Sequence, residues 1–323
     1  MSFKLVSIIV TSFNDGNYLD RLFQDLAGQE LSDISIEILY LEAGSYDEER
    51  ARKKLGQVGF ALSYFNIPRI GRTDALNKLI DTAQGDLIIR LDARTHIAPN
   101  YIRRIIDLSE KSGAENVGGV MWPIGESKDQ QIIAAVMKNP IALGGAKFRN
   151  RSFTGEVDSV YLGAFNRRKI NVDYWFDSNG RISEDSDLNY RIRQSGGKVV
   201  LDSSIVVEYF PRSSIKSFLR LCFNYGISRG LFMLKHKTFS AWRQIVPPAF
   251  FLVLLFLLVT GFYNPIFFSV LFIIIFCYLS TLSVIAYNKT NSFIAFFKFI
   301  GAVIGCHFFW SLGLFLSPYY REK

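Results

Sequence analysis

Two stretches of the chain carry residue types and spacings able to do chemistry. Residues 183–197, SEDSDLNYRIRQSGG, put Glu184 and Asp185 in the first turn of an expected helix. Ser183 is a good N-cap, Leu188 and Ile192 share a face, and Gly196 and Gly197 end the segment. The first turn of a helix presents unpaired N–H groups and a partial positive charge that keep nearby carboxylates ionised, while repulsion between the acids pushes one pKa back up. An ionised carboxylate beside a crevice can act as a general base. Asp185 is the stronger candidate and Glu184 its neighbour, with helix capping an equal alternative for this stretch on its own.

The second stretch, GDLIIRLDART at 85–95, delivers Asp92 to the end of an expected strand. Two positions on, where a metal site would want another carboxylate, stands Arg94. A guanidinium repels a metal ion and offers bidentate geometry to phosphate, so the residues fit either an altered metal motif or a different way of holding an anion.

These groups need a scaffold, and the first 112 residues describe one. The runs VSIIVTSF, IEILYLEA, FALSYFNI and DLIIRLDA alternate with amphipathic segments at 17–29, 47–55, 72–83 and 98–111. Continuous β-branched apolar runs between amphipathic helices predict an α/β domain with a parallel sheet covered on both faces. In such sheets ligands bind beyond the carboxyl ends of the strands. Thr11 to Asn14, Glu42 to Ser45 and Asp92 to Arg94 all fall at those ends. No G-x-G-x-x-G follows the first strand, which removes support for a hydride-transfer enzyme.

The net charge of +8 is unevenly spread: residues 1–208 carry 26 basic and 28 acidic side chains, and 209–323 carry 11 and 1. The basic part is also rich in Phe, Leu and Ile, so its charges are expected to face lipid headgroups, and no nucleic-acid partner is expected. Residues 211–243 mix Arg and Lys with Phe, Leu and Trp, which suits amphipathic helices in a bilayer interface or packed on the domain. Beyond them, 244–323 hold apolar runs at about 245–263, 265–287 and 299–317, each near the roughly 20 residues of a spanning helix. Gly301 and Gly305 are spaced for close helix contact in the third. Cys222, Cys277 and Cys306 are odd in number and widely spaced, so neither a disulfide framework nor a zinc site is expected. The N-terminal apolar run is too short for a signal peptide, so the first domain is expected on the cytoplasmic side.

The order VSIIVTSFN, YLEAGSYDEE, GRTDALN, GDLIIRLDAR, YLGAFNRR and ISEDSDLNYRIRQSGGKVV resembles the inverting family 2 glycosyltransferases of the GT-A fold over most of residues 5–210. The later stretches EYFPRSSIKSFLRLCFNYGISRG, LKHKTFSAWRQIVPP and GAVIGCHFFWSLG are similar to the membrane-anchored branch of succinoglycan-type exopolysaccharide glucosyltransferases. The resemblance implies a Rossmann-like mixed sheet with helices on both faces, spanning 1–210. It implies that Asp185 is the general base that deprotonates an acceptor hydroxyl. Thr11, Phe13 and Glu42 match positions that receive the nucleotide base and ribose, and Arg72 matches one near the donor phosphates. Asp92 matches the first acid of the D-x-D motif, which holds Mg²⁺ or Mn²⁺.

Three departures accompany the match. The usual DDGS has become EAGS at 42–45, so Ala43 loses one acid; Arg94 replaces the second acid of D-x-D; and VVEYFPR offers Glu208 and Tyr209 where relatives carry a late histidine. His96 is weighed as a substitute ligand and reads better as a hydrogen-bonded surface residue. Three states therefore stay open, in this order: a metal held by Asp92 and other oxygens, a leaving group stabilised by Arg94 without metal, and an inactive domain. The expected function is transfer of one sugar from a nucleotide donor, UDP-linked by expectation, to a lipid-linked glycan at the cytoplasmic face of the inner (plasma) membrane. The absence of a Q-x-x-R-W motif speaks against a processive synthase. A polyprenyl-phosphate sugar synthase and a non-catalytic scaffold are the rival readings.

Overall fold

A computed structural model describes residues 3–31, 34–56, 60–178, 184–239 and 241–320. The elements, in chain order, are β1 (Leu5–Ser12), α1 (Gly16–Ala27), β2 (Ser35–Glu42), α2 (Glu48–Leu55), β3 (Ala61–Asn66), α3 (Arg72–Thr82), β4 (Leu87–Asp92), β5 (Thr95–Ile97), α4 (Tyr101–Ser112), β6 (Asn116–Pro123), α5 (Lys128–Met137), α6 (Pro140–Leu143), β7 (Gly155–Glu156), β8 (Tyr161–Asn166), α7 (Glu184–Gln194), β9 (Val199–Tyr209), α8 (Ile215–His236), α9 (Val246–Gly261), α10 (Ile266–Lys289) and α11 (Phe293–Leu316). They form two compact units, Met1–Trp122 with Ala146–Phe210, and Pro123–Gly145 with Pro211–Lys323.

The first unit is built on a mixed sheet of order β3-β2-β1-β4-β8-β6-β9-β5, with β7 paired to β9. Strands β1 to β4 are mutually parallel where they pair, and β8 runs antiparallel to both β4 and β6. The sequence run of β1 fails to alternate because both of its faces are covered. Ile8 and Val10 join a core with Leu19, Leu22, Phe23 and Leu26 of α1, while Ile9 joins one with Leu76, Leu79 and Ile80 of α3. Those α1 residues recur at i, i+3, i+4 and i+7, the apolar stripe a helix needs to lie on a sheet. Truncating a buried isoleucine such as Ile9 to alanine costs about 2–5 kcal/mol.

Register decides what the sheet presents at its carboxyl edge. Ser12 stands opposite Glu42, Thr11 opposite Asp92, and Glu42 opposite Asn66. Beside β4, the edge is irregular: the β6–β8 ladder breaks between Val117 and Gly119, and Leu162 and Gly163 both take positive φ, 67° and 86°. A Cβ on Gly163 would lie 2.8 Å from the Phe165 ring and 2.9 Å from Asn116 Oδ1. Packing against these side chains, together with its φ, accounts for glycine at 163.

In the second unit α8 and α11 meet along small residues. A Cβ at Gly226 would collide with the Trp310 carbonyl, one at Gly313 with the Phe223 carbonyl, and one at Gly230 with Ser317. Close approach of this kind is how helices gain packing where apolar burial gives no drive. Of the two glycines expected at a contact, Gly305 abuts Leu219, whereas a Cβ on Gly301 meets nothing within 4 Å. Residues 123–145, read from sequence as part of the first domain, group instead with this unit, where α5 packs on α8 and α11 and Lys298 pairs with Asp129 at 2.7 Å. Two helices, Ile266–Lys289 and Phe293–Tyr320, of 24 and 28 residues, are long and apolar enough to cross a membrane. The stretch expected as the first span forms only the 16 residues of α9. At about 1.5 Å per residue that falls short of the roughly 30 Å of a hydrocarbon core.

Candidate active site

The carboxyl edge of β1, β2 and β4 gathers several of the expected residues, and a buried arginine organises them. Arg90 is 3% exposed, on the same face of β4 as Asp92 because side chains repeat every two residues along a strand. Its Nη2 donates to Glu184 Oε1 at 2.8 Å, and its Nε and Nη2 both reach Asp92 Oδ1 at 3.3 Å. Its guanidinium lies 5.7 Å from the centre of the Phe176 ring. Arg72, the first residue of α3, adds Nη2 bonds of 2.9 and 2.7 Å to the two Asp92 oxygens and places Nε 3.1 Å from Glu184 Oε1. Two guanidiniums and two carboxylates thus interlock at the end of β4.

Burial pushes the pKa of both acids up, but the charges of Arg72 and Arg90 outweigh it and hold the Asp92 and Glu184 carboxyls below the usual carboxylate range. Burial likewise works against the charge on Arg90, and Asp92 and Glu184 more than restore it.

The frame around the cluster is polar and buried. Asn116 Nδ2 donates to Asn189 Oδ1 at 2.6 Å, and Asn189 Nδ2 to Ser159 Oγ at 3.0 Å, which fixes α7 over the sheet. Asn77 of α3 both donates to the Phe176 carbonyl and accepts from its N–H, at 2.8 and 3.0 Å. Asp185 follows Glu184 on α7, is partly exposed, and accepts from the Ser186 N–H at 2.9 Å. The expected N-cap, Ser183, lies outside the described residues.

The other expected donor residues divide. Phe13 is 61% exposed just past β1, while Thr11 lies level with Asp92. Glu42 is fully buried: Ser12 Oγ and Tyr40 OH donate to its Oε2, and the Gly44 and Asn14 N–H groups reach its Oε1 at 2.6 and 3.4 Å. Its carboxylate therefore ties together the loops after β1 and β2. Arg94 turns to α1, with Nε 2.9 Å from Asp15 Oδ1 and its guanidinium over the Tyr18 ring. His96 pairs with Asp25 at 2.8 Å, and its strand neighbour is Glu208.

Sequence reasoning missed Arg90. The available signal was a charge inside an otherwise apolar strand, LIIRLD, two positions before the strand-end acid. A buried arginine almost always has carboxylate partners, and two were near in the fold.

The residues present do not fit a divalent cation at Asp92. Both oxygens of that carboxylate already accept from Arg72, and a cation there would face two guanidiniums. Among the described residues no group of three or more His, Cys, Asp or Glu side chains converges.

Comparison with known proteins places this architecture. The profile of the family described as Glycosyl transferase family 2 matches residues 7–175, more than half of the chain. The chain belongs to glycosyl transferase family 2. It is 25% identical, over 80% of its length and 82% of the relative's, to the dolichyl N-acetyl-α-D-glucosaminyl phosphate 3-β-D-2,3-diacetamido-2,3-dideoxy-β-D-glucuronosyltransferase of Methanococcus voltae. It is 22% identical to the succinoglycan biosynthesis protein ExoA of Rhizobium meliloti (strain 1021), over 75% of this chain and 74% of that protein. Among solved structures, the mannosyltransferase PcManGT of Pyrobaculum calidifontis, in complex with GDP-Man and Mn²⁺, superposes with a TM-score of 0.54 at 15% identity, covering 73% of this family 2 chain and 65% of that one. That likeness establishes a shared GT-A fold for the first unit.

Proposed function

We propose that this family 2 glycosyltransferase moves one sugar from a nucleoside-diphosphate donor, UDP being the first nucleotide to test, onto a hydroxyl of a lipid-linked glycan, with inversion at the anomeric carbon. The observation that carries the reading is the start of α7 at the carboxyl edge of β4, with Glu184 locked to Arg90 and Arg72 and Asp185 next in the helix. In this reading Asp185 is the base: it takes the acceptor's hydroxyl proton as that oxygen bonds to the anomeric carbon and the bond to the diphosphate breaks. Glu184 is a positioning residue, since its oxygen is held by two arginines. Phe13 offers an exposed ring for the nucleotide base to stack on, Thr11 lines the same edge, and Glu42 holds the two loops in place.

The lipid-linked acceptor is supported by the dolichyl-phosphate-linked substrate that the Methanococcus voltae relative is named for and by the two helices of spanning length. Anchoring to the cytoplasmic face of the inner (plasma) membrane would keep the site near an acceptor whose lipid stays in the bilayer, which raises its effective concentration.

The test is transfer by the full chain in nanodiscs, with UDP- and GDP-sugars and either lipid-linked glycans or a polyprenyl phosphate as acceptor. The expected result is a glycan product of inverted configuration by NMR, lost in Asp185→Asn. Transfer to the lipid phosphate that survives Asp185→Asn would replace the hydroxyl reading by a polyprenyl-phosphate sugar synthase. No turnover with any donor would leave a scaffold role.

A further inference from the structure

We propose that in this chain Arg72, held ready by Arg90, takes the charge of the leaving diphosphate, so that nucleotide binding needs no divalent cation. The inference rests on the nucleotide-donor reading above and deepens it.

Charge balance at the end of β4 is the first ground. Arg72 and Arg90 both lie within hydrogen-bonding reach of Asp92 and of Glu184, so the Asp92 carboxylate faces two fixed positive charges, with Asp185 a further negative charge acting on Arg90. A cation site needs surplus negative charge and oxygen lone pairs directed at one point. Here the one carboxylate at the expected ligand position has both oxygens committed to Arg72.

The second ground is where the remaining candidate ligands go. The position after next carries Arg94, paired to Asp15, and His96 is paired to Asp25. Neither supplies a lone pair to Asp92's neighbourhood. The third ground is the contrast between the two arginines. Arg90 is buried, and its Nη1 is a buried N–H group with no hydrogen-bond partner among the described residues. Arg72, by contrast, is 45% exposed at the strand edge where the donor is placed.

Together these describe an exchange of partners. Without nucleotide, Arg72 Nη2 bonds both Asp92 oxygens and its Nε lies 3.1 Å from Glu184 Oε1, so the fork is divided between the two acids. When a diphosphate arrives, Arg72 gives its paired N–H groups to phosphate oxygens, a match of planar fork to tetrahedral anion. Asp92 is not left as an unpaired charge, because Arg90 remains beside it. Arg90 therefore acts as a positioning residue and Arg72 as the group that touches the ligand. The diphosphate leaves with its negative charge balanced by a fixed guanidinium, the service a metal ion performs in other enzymes of this reaction class.

The experiment is calorimetric titration of the full chain in nanodiscs with UDP and with GDP, first in EDTA and then with saturating Mn²⁺, followed by electron paramagnetic resonance of the Mn²⁺. For the nucleotide that binds, the dissociation constants in the two buffers are expected to agree within about twofold, and Arg72→Ala is expected to weaken binding at least about tenfold in both. Arg72→Lys keeps a charge without the fork and should recover part of the loss, while its circular dichroism and that of Arg72→Ala report folding. The Mn²⁺ spectrum should match that of the metal with nucleotide alone. Binding at least about tenfold weaker in EDTA than in Mn²⁺, or folded Arg72→Ala that binds as well as wild type, overturns this inference and leaves the proposed function standing. Failure of both nucleotides to bind in either buffer overturns the donor reading and this inference with it.

Discussion

Arg90 Nη2 and Glu184 Oε1 lie 2.8 Å apart across 94 residues of sequence, both side chains about 4% exposed. This buried ion pair joins the middle of the central sheet to the first residue of the helix that carries Asp185. A buried pair of this kind contributes little beyond what an apolar pair would, yet removing one partner strands the other charge away from water.

Arg90→Met should therefore destabilise the first unit by about 3–5 kcal/mol, and Arg90→Lys by less, read as shifts in the thermal or denaturant midpoint. The double variant Arg90→Met with Glu184→Leu should recover much of the loss. A double variant no more stable than Arg90→Met would show that the ion pair is not the source of the effect.

Asp185→Asn should lower the rate of transfer to a hydroxyl by about 10²- to 10⁴-fold while leaving nucleotide affinity nearly unchanged. Single-turnover kinetics paired with titration separates the two. A rise in nucleotide dissociation constant with an unaltered rate would place Asp185 in binding and not in proton transfer.

Stability should fall on the acid side. The carboxyls of Asp92 and Glu184 are held below their ordinary range by Arg72 and Arg90, so the unfolded chain binds their protons more readily than the folded one does. Their contribution is complete above about pH 5 and is withdrawn as the pH drops through about 4 and below. Denaturant melts from pH 6 to 3 check this, and Arg72→Ala should flatten the dependence. A slope unchanged by that substitution would assign the acid sensitivity to other groups.

Phe13→Ala should weaken nucleotide binding by about 1–3 kcal/mol, because a base loses its stacking partner, and should leave the melting temperature within a degree or two since the ring is 61% exposed. Equal affinity in wild type and variant would remove Phe13 from the donor site.

In the second unit, Gly313→Leu should separate α8 from α11 and reduce the yield of folded protein, since a Cβ there meets the Phe223 carbonyl. Gly301→Leu should be tolerated, since its Cβ meets nothing within 4 Å. Detergent melting of the two variants side by side gives the comparison, and equal tolerance would remove close packing as the reason for glycine at 313.

Much of the scaffold was legible one segment at a time. The helical stripe of Leu19, Leu22, Phe23 and Leu26, the unbroken apolar run of β1, the acids opening α7 and the charge-free stretches of α10 and α11 are each written in a dozen or two adjacent residues. Local period and contiguous apolarity fix such elements because the backbone geometry of each element repeats regardless of what lies beyond it. Which side chains meet was not local. Arg72 and Arg90 reach both Asp92 and Glu184, Arg94 turns to Asp15, α5 joins the second unit, and the Cys222 and Cys306 thiols lie 3.0 Å apart although 84 residues separate them. Those pairings follow from strand order, register and helix contacts set over long separations. Only the folded chain could decide that an arginine inside a strand, and not the arginine after its aspartate, holds the candidate site together.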